Sequence, residues 1–545
     1  MPWIAIAMCL VEFAERASYY GTSGVFNNFI TNPLPIGGNG AGAVAKGALG
    51  LDEKAGALGM KSQVATALTT LFTFLAYTIP ILGGIVADTK WGRFKTICVG
   101  VAVGAIAHVI LIIPAIPSVI ASGKAIGPFI VGLIILAFAA GFIKPCLSPL
   151  LCDQSPVKVQ TVTTLKSGER VILDPTTTIQ RYLLIFYWAI NIGAFFSLAT
   201  TYAEHDVGFW LAYLLPGIIY MLVPIVLVFA YRRLYKAPPQ GSVVKEAGKV
   251  IGRLMSRGGW KHMWTANQEW WDRAKPSYIV ATEGHVDTKK VFWDDKFVDE
   301  IKQTVAACQV FLLIPIFNLS DGGFGSTENA MTDAMKTNGV PNDLINNFNS
   351  LTIVVCAPIL NYWFYPMMAK FGHPLKPMTR MSIGFMLGCL SMIYGAILQW
   401  KVYQTSSCGN YATSVCQDSP LSLWLQIPLI ALPALGELFV NVTSYEVAYT
   451  RAPARMKSLV MALCLFSSAI SSALTEALTE VLVDPYLIWP YVALAVATLL
   501  CAIALPTYFK HLNEPVSIAL ESRTEGNASD AASESYDDKK QSIEA

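Results

Sequence analysis

Charge is what this sequence has least of. Of its 545 residues only 14% are Asp, Glu, Lys or Arg, while 54% are hydrophobic, and the formal net charge is +2. Soluble domains carry about a quarter charged residues, so an ordinary water-soluble globule is excluded. Without a basic excess the chain is no nucleic-acid binder, and without an acidic one it is no disordered acidic scaffold. No Gly-Lys pair is followed by Ser or Thr, so there is no P-loop and no ATP-driven pump of that type. Neither CxxC nor a Cys and His spacing suited to a metal occurs, so neither metal, cofactor nor enzymatic activity is expected. A basic segment before the first apolar stretch is also missing, which argues against a cleaved signal peptide.

The membrane is the remaining solvent. Eleven stretches without Asp, Glu, Lys or Arg run from 62–87 to 485–509, and most reach the roughly 20 apolar residues that span a bilayer. A twelfth segment, 2–30, contains Glu12, Glu15 and Arg16. The expected fold is therefore an all-α membrane protein with twelve transmembrane helices. Residues 1–231 form a first six-helix bundle, 232–302 a cytoplasmic linker, 303–510 a second six-helix bundle and 511–545 a disordered cytoplasmic tail. Alternate connections carry 27 Lys and Arg on one side and 6 on the other, or 13 against 6 without the long linker. The positive-inside rule makes the richer side, with both termini, cytoplasmic.

Two connections have patterns of their own. Between 243 and 257 apolar and basic residues alternate at helical spacing, which fits either a helix lying on an anionic leaflet or a linker helix packed on the bundle. Between helices 4 and 5, TVTTLKSGERVILD reads as a small hairpin. Cys408 and Cys416 flank a connection that the topology places outside, where a disulfide persists.

Six helices, a long middle and six more helices match the major facilitator architecture, whose sites lie near the midplane between two halves. Ionisable groups at membrane depth are costly and are functional by default. Glu12, Glu15 and Arg16 share one stretch of helix 1 with Tyr19 and Tyr20 one turn on. Lys144 stands in helix 4, Asp321 near the end of helix 7, and Glu437 and Glu446 in helix 10. Helices 1, 4, 7 and 10 line the central cavity of such transporters. GGIVADTKWGRFKT at 83–96 carries Gly84, Asp88, Gly92 and Arg93, a conformational motif whose acid and base lock a tight turn and whose glycines permit close approach.

Four segments resemble one family. VEFAERASYYG (11–21), GFIKPCLSPLLCDQ (141–154), FYWAINIGA (186–194) and GELFVNVTSYEVAYTRAPARMKS (436–458) are similar, in order and spacing, to signatures of the proton-dependent oligopeptide transporters of the major facilitator superfamily. The 4–5 hairpin and GVPNDLINN (339–347) look like the fungal branch. The resemblance implies that Glu12, Glu15, Arg16, Lys144 and Asp321 couple protons, that Arg16 and Lys144 meet a peptide carboxylate, and that Glu446 meets its amino terminus. It further implies backbone contacts from Tyr20, Tyr77, Asn191 and Asn349. Ala17 departs from the Phe of the first motif, and IFNLSDGGFGSTENAM in helix 7 lacks the aromatic residues of a fungal peptide transporter.

The resulting expectation is a proton-coupled symporter of di- and tripeptides working by alternating access as a monomer in the plasma membrane. Its partners are a small peptide, protons and the lipid bilayer, with no nucleic acid. A transporter retuned to another amine or peptide-like metabolite, or a peptide sensor that moves nothing, are the alternatives.

Overall fold

A computed structural model describes residues 2–44, 55–60, 62–164, 168, 170–239, 243–256, 268–285, 291, 293–323, 328, 331–332, 334–336, 345, 347–372, 375–416, 419–453, 456–478 and 484–513. Among the described residues, eleven helices are long and apolar enough to cross a membrane: α2 (Ala67–Trp91), α3 (Arg93–Ala115), α4 (Ile126–Asp153), α5 (Pro175–Asp206), α6 (Phe209–Ala230), α7 (Asp295–Gly322), α8 (Asn347–Lys370), α9 (Pro377–Thr405), α10 (Leu423–Arg451), α11 (Lys457–Leu478) and α12 (Ile488–Thr507). They follow α1 (Trp3–Ser23), whose three charged residues set it apart. The fold is thus the expected all-α membrane fold of twelve helices.

Large apolar side chains face outward, as a lipid-solvated bundle requires. Val228 and Phe229 on α6 are 74% and 78% exposed. Where the chain turns, capping takes over from hydropathy. Asp174 accepts a hydrogen bond from the Thr177 amide at 2.9 Å, with Pro175 in the first helical turn, which fixes the start of α5. Just before it, β1 (Thr161–Thr164) pairs antiparallel with β2 (Arg170–Leu173), Thr161 opposite Leu173.

The linker contains a helix over Val243–Ser256. Ala247, Val250 and Leu254 are buried in one cluster with Trp270, Trp271 and Ile301, and with Leu505 and Phe509 at the end of α12. Of the two readings left open, packing on the second half therefore describes the apolar face of this helix. Residues 511–513 do not begin a disordered tail. Leu512 is buried, its carbonyl accepts from Arg451 Nη2 at 2.8 Å, and Asn513 Oδ1 accepts from the Met378 amide at 2.9 Å. The rest of the expected tail, 514–545, lies outside the described residues. Cys408 is disulfide-bonded, and the side chain of Cys416, its expected partner, lies outside the described residues.

With α1 and the eleven apolar helices, Pro2 and Asn513, the first and last described residues, lie at the same end of the bundle. On that side the two halves are stapled. Asp88 Oδ2 accepts from the Leu459 amide at 2.9 Å, in the first turn of α11, where the helix dipole favours an anion. Arg93 is paired with Asp153, donates from Nε to Ser458 Oγ at 3.0 Å and lies 3.7 Å from Asp88. Tyr449 on α10 donates to Asp153 at 3.0 Å. Gly84 makes the approach possible, because a Cβ there would stand 2.8 Å from the Ser458 carbonyl oxygen. Gly92, at φ 76°, holds a turn that other residues rarely adopt. The conformational motif is thus assembled across the halves.

Candidate functional site

Closing one end leaves a cavity of about 510 Å³ between the halves, within the range of small-molecule sites. It is lined from α1, α2, α4, α5, α7, α10 and α11, so α2, α5 and α11 join the four helices expected to line it. On α2 the lining runs from Thr69 to Tyr77 and on α11 from Met461 to the exposed Glu476. The cavity therefore opens at the end opposite the termini.

The first half supplies the cations. Arg16 lies 3.4 Å from Glu12 and is paired with Glu15, and all three side chains are buried. Glu12 and Arg16 reach the wall, while Glu15 stands behind them. Lys144 is 8% exposed, and its ammonium sits 4.0 Å from the Tyr77 ring centroid and 4.2 Å from that of Tyr19. Such rings partly offset a desolvated cation. Among the described residues Lys144 Nζ has no hydrogen-bond partner. It is a buried amine that no described side chain hydrogen-bonds.

The second half supplies the acids. α7 loses helical geometry at Asp321, with φ −115° and ψ 71°, and Gly322 follows at φ 72°, which brings Asp321 to the wall. Glu437 of α10 lines the same wall. Asn349 Nδ2 donates to Asp321 Oδ1 at 3.1 Å and to Glu437 Oε1 at 2.9 Å, so one amide from α8 bridges two carboxylates. Glu437 also accepts from Tyr187 of α5, and Asn441 donates to Tyr187 Oη at 3.0 Å. This network joins the halves across the floor of the cavity.

Glu12, Arg16, Tyr20, Tyr77, Lys144 and Asp321 are therefore brought together, with Asn349 in their support. Two expectations are corrected. Glu446 does not face the cavity: it accepts two hydrogen bonds from Arg380 Nη2 of α9, at 2.9 and 2.8 Å, with both side chains buried. Asn191 gives its amide to the Tyr187 carbonyl of its own helix at 3.0 Å and stands off the wall. The acid that does face the cavity, Glu437, precedes Glu446 by nine residues. Nine residues make about 2.5 helical turns, so the two occupy opposite faces. Asn441, Ser444 and Tyr445, at helical spacing from Glu437, line the cavity with it. That spacing was the available signal. Tyr187 lay inside a noted motif without being singled out.

Chemically, one wall offers a Lys144 amine that no described side chain hydrogen-bonds, beside Arg16 and Glu12, and the other offers two carboxyl groups bridged by one amide. Such a site suits a ligand that carries an anion at one end and a cation at the other.

Comparison with known proteins agrees with this architecture. The sequence pattern of the POT family matches residues 94–494. The MFS-type transporter ucsM of Acremonium sp is 44% identical over 92% of this chain and 83% of its own length. Peptide transporter PTR2 of Candida albicans is 42% identical over 93% of this chain and 82% of its own length. PTR2 of Saccharomyces cerevisiae is 36% identical, over 93% and 79%. In three dimensions the crystal structure of the POT family transporter PepTSo superposes with a TM-score of 0.61, covering 94% of this chain and 98% of that one at 20% identity, a likeness of fold. With the matched pattern and relatives of this identity and coverage, the chain is a multi-pass membrane transporter that belongs to the POT family.

Proposed function

We propose that this protein is a proton-coupled symporter of di- and tripeptides that works by alternating access. The observation that carries the reading is the unpartnered Lys144 ammonium on one wall and the Asp321 and Glu437 pair on the other. A zwitterionic peptide would give its carboxylate to Lys144 and its amino terminus to Glu437. Arg16, held by Glu12 and Glu15, becomes available to a carboxylate when either acid takes a proton. Protonation at the first helix and substrate binding would then favour the same rearrangement, which is the condition for coupled movement. The motif around Asp88 and Arg93 would break as the halves rock and the terminal side opens. The relatives named as peptide transporters support the substrate class. By the distribution of Lys and Arg the termini are cytoplasmic, and a plasma-membrane monomer completes the reading.

The test is accumulation of labelled dialanine in proteoliposomes carrying an inward proton gradient. Wild type should concentrate the peptide, and a protonophore should abolish the accumulation. Glu437→Gln should weaken dialanine by roughly 2–5 kcal/mol, more than tenfold in apparent affinity, because the ligand's ammonium loses a desolvated partner. N-acetyl-dialanine lacks that ammonium, should bind wild type poorly, and should be hurt far less. Equal losses for both ligands would sink the assignment. Binding without accumulation would point to a sensor. Failure of dialanine to bind at all would favour another amine or peptide-like metabolite, a reading supported by the relative named only as an MFS-type transporter.

A further inference from the structure

The passage from the charged site to the open end is walled by hydroxyls from both halves. Thr73 of α2 and Ser467, Ser468 and Ser472 of α11 line it, with Glu476 at the rim. Three of these four protons are committed. Thr73 donates to the Thr69 carbonyl at 3.0 Å, Ser467 to that of Cys464 at 2.6 Å and Ser472 to that of Ser468 at 3.0 Å. A hydroxyl has one proton and two lone pairs, so a hydroxyl spent on its own helix can only accept from a ligand. Ser468 already accepts, from Asn318 Nδ2 at 3.3 Å. Carboxyl groups add acceptor oxygens, and Asp321, Glu437 and Glu476 belong to the same second-half wall. The charged donors of the cavity, Arg16 and Lys144, both belong to the first half.

A polar stripe could be a mere seam between helices, but Lys144 argues otherwise. It is more than nine-tenths buried, lines the same cavity, and has no hydrogen-bond partner among the described residues. The cavity thus holds a buried, unsatisfied donor, and the stripe is the part of its wall beyond the charged ends.

We propose that this acceptor-lined wall is a side-chain subsite selecting donor-bearing groups. The substrate class, resting on the peptide reading above, is a peptide or peptide-like amine that carries a second ammonium, guanidinium or amide. An aliphatic or aromatic side chain there would desolvate lone pairs without supplying them a donor, and sites built for hydrogen bonding discriminate strongly on that ground. A cationic side chain also offsets the acid excess of the second-half wall.

The experiment is competition against labelled dialanine in wild-type proteoliposomes, with Ala-Lys and Ala-Asn set against Ala-Leu and Ala-Phe. Ala-Lys should compete at a concentration at least about tenfold lower than Ala-Leu, which is one factor of ten in affinity. Two variants keep the test independent of folding: S468A with S472A on a helix that tolerates alanine, and Glu476→Gln at the exposed rim. Each should lower the Ala-Lys to Ala-Leu preference by about threefold or more, a ratio in which expression level cancels. A wild-type preference near one, a preference for Ala-Leu or Ala-Phe, or a ratio unmoved in both variants overturns the subsite while leaving peptide transport standing. If wild type does not take up dialanine, the peptide reading fails and the subsite falls with it.

Discussion

Glu446→Gln separates a structural acid from a binding one. The carboxylate accepts from one guanidinium nitrogen through both oxygens, at 2.9 and 2.8 Å, and the side chains of Arg380 and Glu446 are 3% and 2% exposed. Water cannot take over the lost interaction. Removing one partner of a buried pair costs about 3–5 kcal/mol, since the remaining charge is left in a medium of low polarity. Gln keeps one acceptor oxygen, which places the expected loss near the lower bound, about 3 kcal/mol. Thermal unfolding of purified protein should show Glu446→Gln clearly destabilised, and so should Arg380→Gln. The double variant should lose less than the sum of the two, because no uncompensated charge remains. Dialanine KM in the surviving folded fraction should stay within about twofold of wild type, because the residue does not reach the cavity. A Glu446→Gln protein that unfolds like wild type yet loses peptide affinity more than tenfold would refute this account and return the residue to the substrate.

Three further expectations follow from the geometry. Gly84→Ala would place a Cβ 2.8 Å from the Ser458 carbonyl oxygen, so closure of the terminal side should be disfavoured; a cysteine introduced beside this contact should label faster from that side, and unchanged labelling would count against the staple. Lys144→Ala should reach the membrane but lose concentrative dialanine uptake more than tenfold, and Arg should replace Lys only partly, since a guanidinium needs a wider planar fork than a point charge; wild-type uptake by the Ala variant would remove Lys144 from the mechanism. Glu328, buried beyond Gly322 where the described span of α7 ends, is pushed by burial from an ordinary 4.5 up to about 7, so folding should lose stability as pH climbs from about 4.5 through 7. Glu328→Gln should therefore stabilise the protein by about 3 kcal/mol at pH 8 and by under about 1 at pH 5, and an equal shift in Tm at both pH values would contradict the burial.

Hydropathy is a property of local sequence, and so the spanning helices, the hairpin and the odd charge content of α1 were legible before any coordinates. A charge-free run of the right length has one stable solution in a bilayer, a helix that satisfies its own backbone. The motif at 83–96 was equally readable as a tight turn, but its partners Asp153, Tyr449 and Ser458 come from other helices. The limits appear in α10. Its residues are buried over most of their length, so no apolar stripe marks which side meets the cavity. Spacing alone sets Glu437 and Glu446 on opposite faces, yet which of them lines the cavity depends on where Arg380 lies, 66 positions away on another helix. The bridge of Asn349 between Asp321 and Glu437 likewise gathers three helices. The linker helix shows the same division, since periodicity gives it an apolar face but not what covers it. Local sequence determined which segments enter the membrane and which carry charge into it, because transfer from water is decided segment by segment. Tertiary packing decided which of those charges are spent on one another and which face the cavity, because a buried charge is settled only by the groups that arrive beside it.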